Sequence, residues 1–115
     1  MTMTDLINAD LVRLDAQLGS DKHEVIRALA AVASAAGRAP DVDQLVADAL
    51  AREETSATGL PGGIAIPHCR TAGVEDATLV FARLSPPVAF GAKDGPADLA
   101  FLICLLYTSP SPRDS

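Results

Sequence analysis

Hydrophobic positions in the first half of the chain follow the spacing of two amphipathic helices. The first stripe consists of Val25, Ile26, Leu29, Val32, Ala33 and Ala36. Asp21, with Glu24 three residues later, is a plausible cap in front of this helix, and Gly37 ends it. The second stripe consists of Val42, Leu45, Val46, Ala49 and Leu50. Pro40 marks the break between the stripes, so the pattern predicts two successive helices.

The second half of the chain has the pattern of buried strands. Residues 77–84 and 99–104 are apolar on both alternating faces, as expected for strands that helices cover on both sides. Between them, the Pro86-Pro87 pair and the Asp94-Gly95-Pro96 segment predict turns. These two segments are the longest strands that the sequence predicts.

A loop and two shorter strands complete the prediction. Residues 55–63 are mostly small residues and glycines, which oppose any regular element. Residues 64–66 predict a very short strand, which Pro67 stops because proline lacks an N–H and has a fixed φ. Residues 11–14 add a further short strand. The order of helices followed by strands indicates an α/β or α+β domain rather than a helix bundle.

The composition limits the size of the protein and the kinds of partner that suit it. With 115 residues and 49% hydrophobic positions, the chain can form one compact core and is too short for two ordinary domains. Its net charge of -6 argues against nucleic acid and anionic membrane surfaces. No targeting segment or membrane-crossing stretch is predicted, so we expect a cytoplasmic protein that does not insert into a membrane.

The two cysteines, Cys69 and Cys104, are far apart and neither belongs to a CxxC motif. This spacing suggests neither a zinc site nor a disulfide framework, and a reducing compartment fits best. We therefore predict no metal and no cofactor. Cys69 could be a reactive thiol, but close packing explains its small size equally well.

The last eleven residues, 105–115, break the patterns before them with alternating Ser and Pro. They predict a disordered tail. Residues 104–114 also resemble one reading frame of a transposase adapter used in DNA library preparation. We therefore expect a domain at residues 1–104 and treat the tail as a sequencing-adapter artefact that carries no fold information.

The strongest candidate for chemistry is His68. It follows the predicted strand at residues 64–66 and lies between flexible glycines and Arg70. Neutral imidazole is a good nucleophile near neutral pH, and a phosphoryl group on a ring nitrogen is easily passed onward. The alternative is an ordinary histidine without a chemical role. His23, among charged residues in the first turn of a predicted helix, is expected to be solvent-exposed.

A phosphoryl relay needs donors for the phosphoryl oxygens. The candidates are Arg52, the Thr58 hydroxyl, Arg70 and the N–H groups of the glycine-rich loop. Each has a structural alternative: Arg52 is favourable at a helix C-terminus in any case, Thr58 can shape a turn, and Arg70 can be a solvated charge. Taken singly, none of these residues defines a site.

The combination is more specific than its parts. Arg52-Glu53, Thr58-Gly59 and the Gly-Ile-Ala-Ile-Pro-His segment at residues 63–68 closely resemble the motif of the fructose/mannitol-type IIA domain of the phosphoenolpyruvate-dependent sugar phosphotransferase system. Similar segments fall at residues 22–29 and 81–95. The resemblance covers about residues 3 to 103, and it implies an α/β (α+β) fold in which helices flank a mixed β-sheet.

The resemblance also implies a two-step transfer. His68 would take a phosphoryl group from the histidine phosphocarrier protein through Nε2 and pass it to a cysteine of a IIB domain, for the uptake of a sugar such as fructose. Arg52 would steady the phosphoryl group, Thr58 would shape the adjoining loop, and Arg70 matches a basic residue that often follows the active histidine. The IIB domain could be fused with a membrane IIC domain in the full-length protein.

The chain departs from the family pattern at its C-terminal end. Family domains continue past the strand that ends near Cys104 with further helices, a strand and a second histidine, and this chain has nothing equivalent. We therefore expect a fold that is incomplete at the C-terminus. Two alternatives stay open: a regulatory protein similar to the nitrogen-related branch, which acts through protein partners, and a fragment without function.

Overall fold

The computed structural model describes residues 9–93 and 95–106. A short 3-10 helix, Ala9–Leu11, precedes strand β1, Val12–Ala16. Two helices follow, α1 at Lys22–Ala35 and α2 at Val42–Thr55. The remaining strands are β2 (Gly59–Leu60), β3 (Ile64–Ala65), β4 (His68–Thr71), β5 (Thr78–Val88) and β6 (Ala97–Leu106). The predicted helices and strands are confirmed, and β2 and β4 are additions that the sequence did not predict.

Side-chain caps fix where both helices begin. The Asp21 carboxylate caps α1 and accepts a hydrogen bond from the Glu24 N–H at 2.9 Å, which confirms the predicted cap. Glu24 reaches back in turn and accepts from the N–H of Ser20 at 2.7 Å. Asp41 caps α2 by accepting from the Gln44 N–H at 3.2 Å. Such caps satisfy N–H groups that have no partner inside the helix.

The six strands form one mixed sheet in the order β1-β5-β6-β3-β2, and β4 pairs with the second half of β6. The long hairpin partners β5 and β6 are antiparallel. β1 runs parallel to β5, and both β3 and β4 run parallel to β6. β6 is therefore the strand to which the segment around His68 is attached.

The two helices pack on one face of this sheet. The sheet residues that this core buries are Ala65, Cys69, Val80, Ala82, Leu84, Ala100, Leu102 and Cys104. The opposite face carries Leu79, Phe81, Phe101 and Ile103, which are half-buried, and the Phe81 and Phe101 rings lie 4.8 Å apart. The α/β class with a mixed sheet and flanking helices is confirmed. Among the described residues, however, helices cover one face of the strands and not both.

The turn predicted at Pro86 and Pro87 is wrong, because both prolines belong to β5. The pairing with β6 shifts its register between Arg83 and Val88. Such an irregularity accommodates prolines, which have no N–H to donate to the ladder. Gly95 and Pro96 lie outside regular elements, and Asp94 lies outside the described residues.

The end of β6 bears on the predicted domain boundary at residue 104. β6 continues to Leu106, because Leu105 and Leu106 pair with Arg70 and Thr71 of β4. The remainder of the predicted tail, residues 107–115, lies outside the described residues. Within the described part of the chain, neither helix has the length and hydrophobicity needed to cross a bilayer.

Burial predicts which leucines stabilise the fold. Leu29 of α1 is fully buried, whereas the Leu14 side chain on β1 is 57% exposed. We expect Leu29→Ala to lower the free energy of unfolding by about 2–5 kcal/mol, because it removes buried methyl groups and leaves a cavity. Leu14→Ala is the matched control and should change stability little. Urea unfolding of both variants measures the difference, and equal effects would contradict this description of the core.

Candidate functional site

His68 is the first residue of β4, an edge strand, and pairs in register with Ile103 of β6. The sequence predicted His68 just past the strand at residues 64–66, and the structure places it in a strand of its own. Cys69 and Thr71 are buried toward the helices, so alternation along the strand places His68 on the opposite face. His68 is half-buried there.

A hydrogen bond indicates which ring nitrogen of His68 carries a proton. Its Nδ1 lies 2.7 Å from the carbonyl oxygen of Ile66. Because a carbonyl oxygen only accepts hydrogen bonds, Nδ1 carries the proton in this contact. The neutral ring therefore presents the lone pair of Nε2, for which no partner is found among the described residues. Nε2 is the nitrogen available as a nucleophile.

Backbone hydrogen bonds on both sides hold the segment that contains this carbonyl. The Ile66 N–H donates to the carbonyl of Thr58 at 3.1 Å. The Ile103 N–H of β6 donates to the carbonyl of Pro67 at 2.9 Å. The acceptor for His68 is therefore tied both to the sheet and to the loop after α2.

Glu53 was part of the sequence motif, but no role was predicted for it. Its side chain is fully buried. One carboxylate oxygen accepts from the Thr58 hydroxyl at 2.7 Å, and the other accepts from the Thr58 N–H at 3.0 Å. Lys22 at the start of α1 places its Nζ 3.4 Å from the second oxygen. Glu53 thus anchors the loop that leads to His68.

The sequence does contain a signal for Glu53. It continues the stripe of Leu45 and Ala49 at a spacing of four residues, and all three side chains are buried in α2. A carboxylate on the buried stripe of a helix is costly unless donors surround it. Such a position therefore indicates a partner in the tertiary structure, although the pattern does not identify which residue donates.

The predicted phosphate-binding residues have different surroundings. The Thr58 side chain is buried, and its hydroxyl donates to Glu53, which suits a loop-shaping residue. Arg52 is half-buried in the last turn of α2, where Nη1 donates to the Ser56 carbonyl at 3.0 Å. The other donors of this guanidinium make no hydrogen bond to a described residue. Arg52 therefore caps its own helix and keeps donors free.

Arg70 follows His68 on β4 and is exposed. It shares a surface depression with Gln44 and Asp48 of α2. Its guanidinium makes no hydrogen bond or ion pair within the described part of the chain. The structure therefore brings Thr58 into contact with the segment that holds His68, while Arg70 lies along the edge of the sheet.

The glycine-rich loop contributes a close backbone approach. Gly63 has a φ of +78°, a conformation that favours glycine, and a Cβ at this position would lie 2.9 Å from Asp98 Oδ1. Its carbonyl accepts from the N–H groups of Asp98 and Leu99. The Gly59 N–H is occupied by the carbonyl of Phe90. These contacts fix the path of the loop toward β3.

His23 and Cys69 have roles that do not involve His68. His23 Nε2 lies 2.9 Å from a carboxylate oxygen of Glu54, and both side chains are exposed. Cys69 is buried, and burial, followed by the charge of Asp48, raises the pKa of its thiol to about 11. Its register partner Cys104 is also buried, and burial raises its thiol pKa to about 12. Both cysteines therefore act as small core residues.

Clusters that could hold a metal ion are absent from residues 9–93 and 95–106: no three His, Cys, Asp or Glu side chains converge there. The site thus consists of one half-exposed histidine with a fixed tautomer, arginines nearby in sequence, and a buried carboxylate behind it. This arrangement is typical of proteins in which a histidine on an edge strand could act as a nucleophile.

Comparison with known proteins identifies the family. The profile described as "Phosphoenolpyruvate-dependent sugar phosphotransferase system, EIIA 2" matches residues 5–110. The chain belongs to this family, which confirms the resemblance found in the sequence. It is therefore a phosphotransfer component of the EIIA type.

Two curated relatives are much longer than this chain. The 2-O-alpha-mannosyl-D-glycerate-specific EIIABC component of Escherichia coli is 34% identical over 111 residues, which cover 96% of this chain and 17% of that protein. The fructose-specific EIIABC component of Bacillus subtilis is 35% identical over 104 residues, with coverages of 90% and 16%. The chain thus spans about a sixth of the length of these relatives.

Two solved structures share the fold. The nitrogen regulatory protein IIA-Ntr of Neisseria meningitidis superimposes with a TM-score of 0.80 at 29% identity, covering 91% of this chain and 71% of that one. IIA mannitol of Escherichia coli, in its complex with phosphorylated IIB mannitol, gives a TM-score of 0.73 at 25% identity, with coverages of 87% and 70%. One neighbour is therefore a regulatory protein, and the other was solved together with a IIB domain.

The raised thiol pKa values predict that the cysteines are unreactive in the folded protein. The thiolate is the form that reacts with iodoacetamide, and it becomes abundant only as the pH approaches about 11 at Cys69. We expect negligible alkylation of the native protein near neutral pH and modification of both cysteines after unfolding. Mass spectrometry of timed samples measures this, and rapid labelling of folded protein would contradict the packing described for Cys69.

Proposed function

We propose that this chain is a cytoplasmic phosphohistidine carrier of sugar uptake, with His68 as the residue that receives and donates the phosphoryl group. The observation that carries the proposal is the 2.7 Å contact between Nδ1 of His68 and the Ile66 carbonyl, which leaves Nε2 as the nucleophile. The half-exposed ring on an edge strand supports transfer between proteins. The family membership supports phosphoryl transfer as the chemistry.

The proposed first step transfers the group from the phosphorylated histidine phosphocarrier protein. The Nε2 lone pair of His68 attacks phosphorus, the donor's P–N bond breaks, and its electron pair returns to the donor ring. His68 keeps its Nδ1 proton, and the Ile66 carbonyl stabilises the positive charge that develops on the ring. In the second step a IIB cysteine thiolate attacks phosphorus, and the bond to Nε2 breaks.

The arginines are the proposed donors to the phosphoryl oxygens. Arg52 retains donors beyond the one that binds Ser56, and guanidinium groups match the geometry of phosphoryl oxygens. Arg70 is exposed and lies two residues from His68 on the same strand. Thr58 acts indirectly, because its hydroxyl and N–H donate to Glu53. Fructose is the proposed sugar class, since one relative is a fructose-specific component.

The chain's two histidines provide a matched test of the acceptor. We expect the wild type and His23→Gln to take up acid-labile phosphate from phosphoenolpyruvate in the presence of the general phosphotransferase enzyme and its phosphocarrier. His68→Ala should take up none, because it lacks the nucleophile. Circular dichroism establishes that each variant is folded. A folded wild type without label, or a labelled His68→Ala, would refute the proposal.

Variants of Arg52 and Arg27 distinguish binding of the phosphoryl group by Arg52 from a nonspecific effect of removing one positive charge. Arg52 lies beside the anchored loop, whereas Arg27 is exposed on α1. We expect Arg52→Gln to slow the initial phosphorylation rate by roughly tenfold or more, because it removes charged donors from the transferring group. Arg27→Gln should leave the rate unchanged. Equal rates for the two variants, both folded, would exclude a role for Arg52 in transfer.

A regulatory role is the second candidate, because the nitrogen regulatory protein IIA-Ntr shares the fold with a TM-score of 0.80. The two candidates differ in the second step. A sugar-uptake carrier should pass its label to the cysteine of a fructose-type IIB domain. A regulatory protein should keep the label in that assay while its phosphorylated and free forms bind a protein partner differently. A fragment without function would accept no label at all.

A further inference from the structure

We propose that Glu53 is a positioning residue for phosphoryl transfer, because its buried carboxylate fixes, through Thr58 and Ile66, which nitrogen of His68 is free to react. The inference rests on the proposed function of His68 and deepens it. Glu53 touches neither the imidazole ring nor any phosphoryl group. It acts through hydrogen bonds arranged in series.

The first link is the carboxylate itself. The Glu53 side chain has no exposure, yet both oxygens are occupied by donors, two from Thr58 and one from the Lys22 ammonium. The other two buried residues of α2, Leu45 and Ala49, are apolar. A carboxylate there is costly to bury without its donors. Glu53 is therefore suited to holding Thr58.

The second link is the Thr58 backbone. Because its N–H and its hydroxyl both bind the same carboxylate, at 3.0 Å and 2.7 Å, the orientation of this residue is fixed relative to α2. Its carbonyl then accepts the Ile66 N–H at 3.1 Å. The position of the Ile66 residue thus depends on the end of α2 as well as on the sheet.

The third link reaches the reacting ring. The Ile66 carbonyl accepts the Nδ1 proton of His68 at 2.7 Å. If this carbonyl moves, Nδ1 loses its acceptor, and the proton of the neutral ring distributes between the two nitrogens. Molecules with the proton on Nε2 cannot attack phosphorus through that atom. A change at Glu53 should therefore alter the tautomer of His68 without touching it.

The test compares neighbouring glutamates on α2. Glu53→Gln keeps the size of the side chain but replaces an acceptor oxygen with a donor amide, whereas Glu54→Gln alters a side chain that is 68% exposed. The first measurement is the ¹⁵N NMR spectrum of the histidine rings in unphosphorylated protein. The second is the initial phosphorylation rate.

For Glu53→Gln we expect a larger fraction of the His68 ring with its proton on Nε2 and a phosphorylation rate lower by roughly tenfold to hundredfold. Glu54→Gln should match the wild type in the His68 tautomer and in the rate, and it should change only the signals of His23, whose Nε2 contacts Glu54. A folded Glu53→Gln protein with the wild-type tautomer and rate would overturn the proposal. The tautomer is measured without any phosphoryl donor, so a wild type that takes no label would refute the proposed function while the NMR comparison still decides the role of Glu53.

Variants of Thr58 decide the matter if Glu53→Gln does not fold. Thr58→Ser keeps the hydroxyl that donates to Glu53, and Thr58→Val removes it at similar size. We expect Thr58→Ser to retain the wild-type His68 tautomer and phosphorylation rate. Thr58→Val should have a larger fraction of the His68 ring with its proton on Nε2 and a lower rate. Equal behaviour of the two folded variants would overturn the proposal. Failure of both Thr58→Val and Glu53→Gln to fold would assign the pair a purely structural role and would also overturn it.

Discussion

Pairing along β6 holds the sheet together and positions the segment around His68. β6 joins the antiparallel strand β5 on one side and the parallel strands β3 and β4 on the other, so it connects the helix-packed core to the segment that carries His68. Its residues Ala100, Leu102 and Cys104 are fully buried under the helices. Burial of this strand fixes its register, because a shift by one residue would turn its core residues to the opposite face. The position of His68 opposite Ile103 follows from that register.

A second set of contacts fixes the position of the segment next to the His68 ring. The β-ladder holds Pro67 from one side, while the carboxylate of Glu53 holds Thr58 from the other. The Ile66 carbonyl between them is the acceptor that selects the tautomer of the histidine. Backbone groups whose positions the fold fixes therefore orient the His68 ring, which suits the role proposed for it. Among these contacts, the two that join Thr58 to Glu53 are the ones that involve a helix, α2.

The helices and the main strands could be predicted because their signals are local. Caps such as Asp21 and apolar residues at helical or alternating spacing determine these elements within a short stretch of chain. Strand β4 could not be predicted, since His68 and Cys69 form a strand only by pairing with β6, more than thirty residues later. Helices on both faces of the strands were predicted, because the strands are apolar on both faces. The described helices cover one face only, and the apolar pattern of the other face does not specify which element packs against Phe81 and Phe101. Thr58 was predicted both as a donor and as a loop-shaping residue, and the buried carboxylate behind it was needed to distinguish these roles.

The sequence alone determined the fold class, the family and the identity of the candidate nucleophile, because these depend on periodic burial and on a short contiguous motif that ends in His68. The surroundings of the candidate residues follow from the folded structure. It set the tautomer through Ile66, occupied the Thr58 hydroxyl, and buried Cys69 so that its thiol stays protonated. The contacts of His68 with Ile66 and of Thr58 with Glu53 join residues close in sequence, but their geometry depends on the pairing of β3 and β4 with β6 and on the burial of Glu53. Packing of the helices against the sheet removes water from Glu53, Thr58 and Cys69, and this burial strengthens the hydrogen bonds and desolvates the thiol.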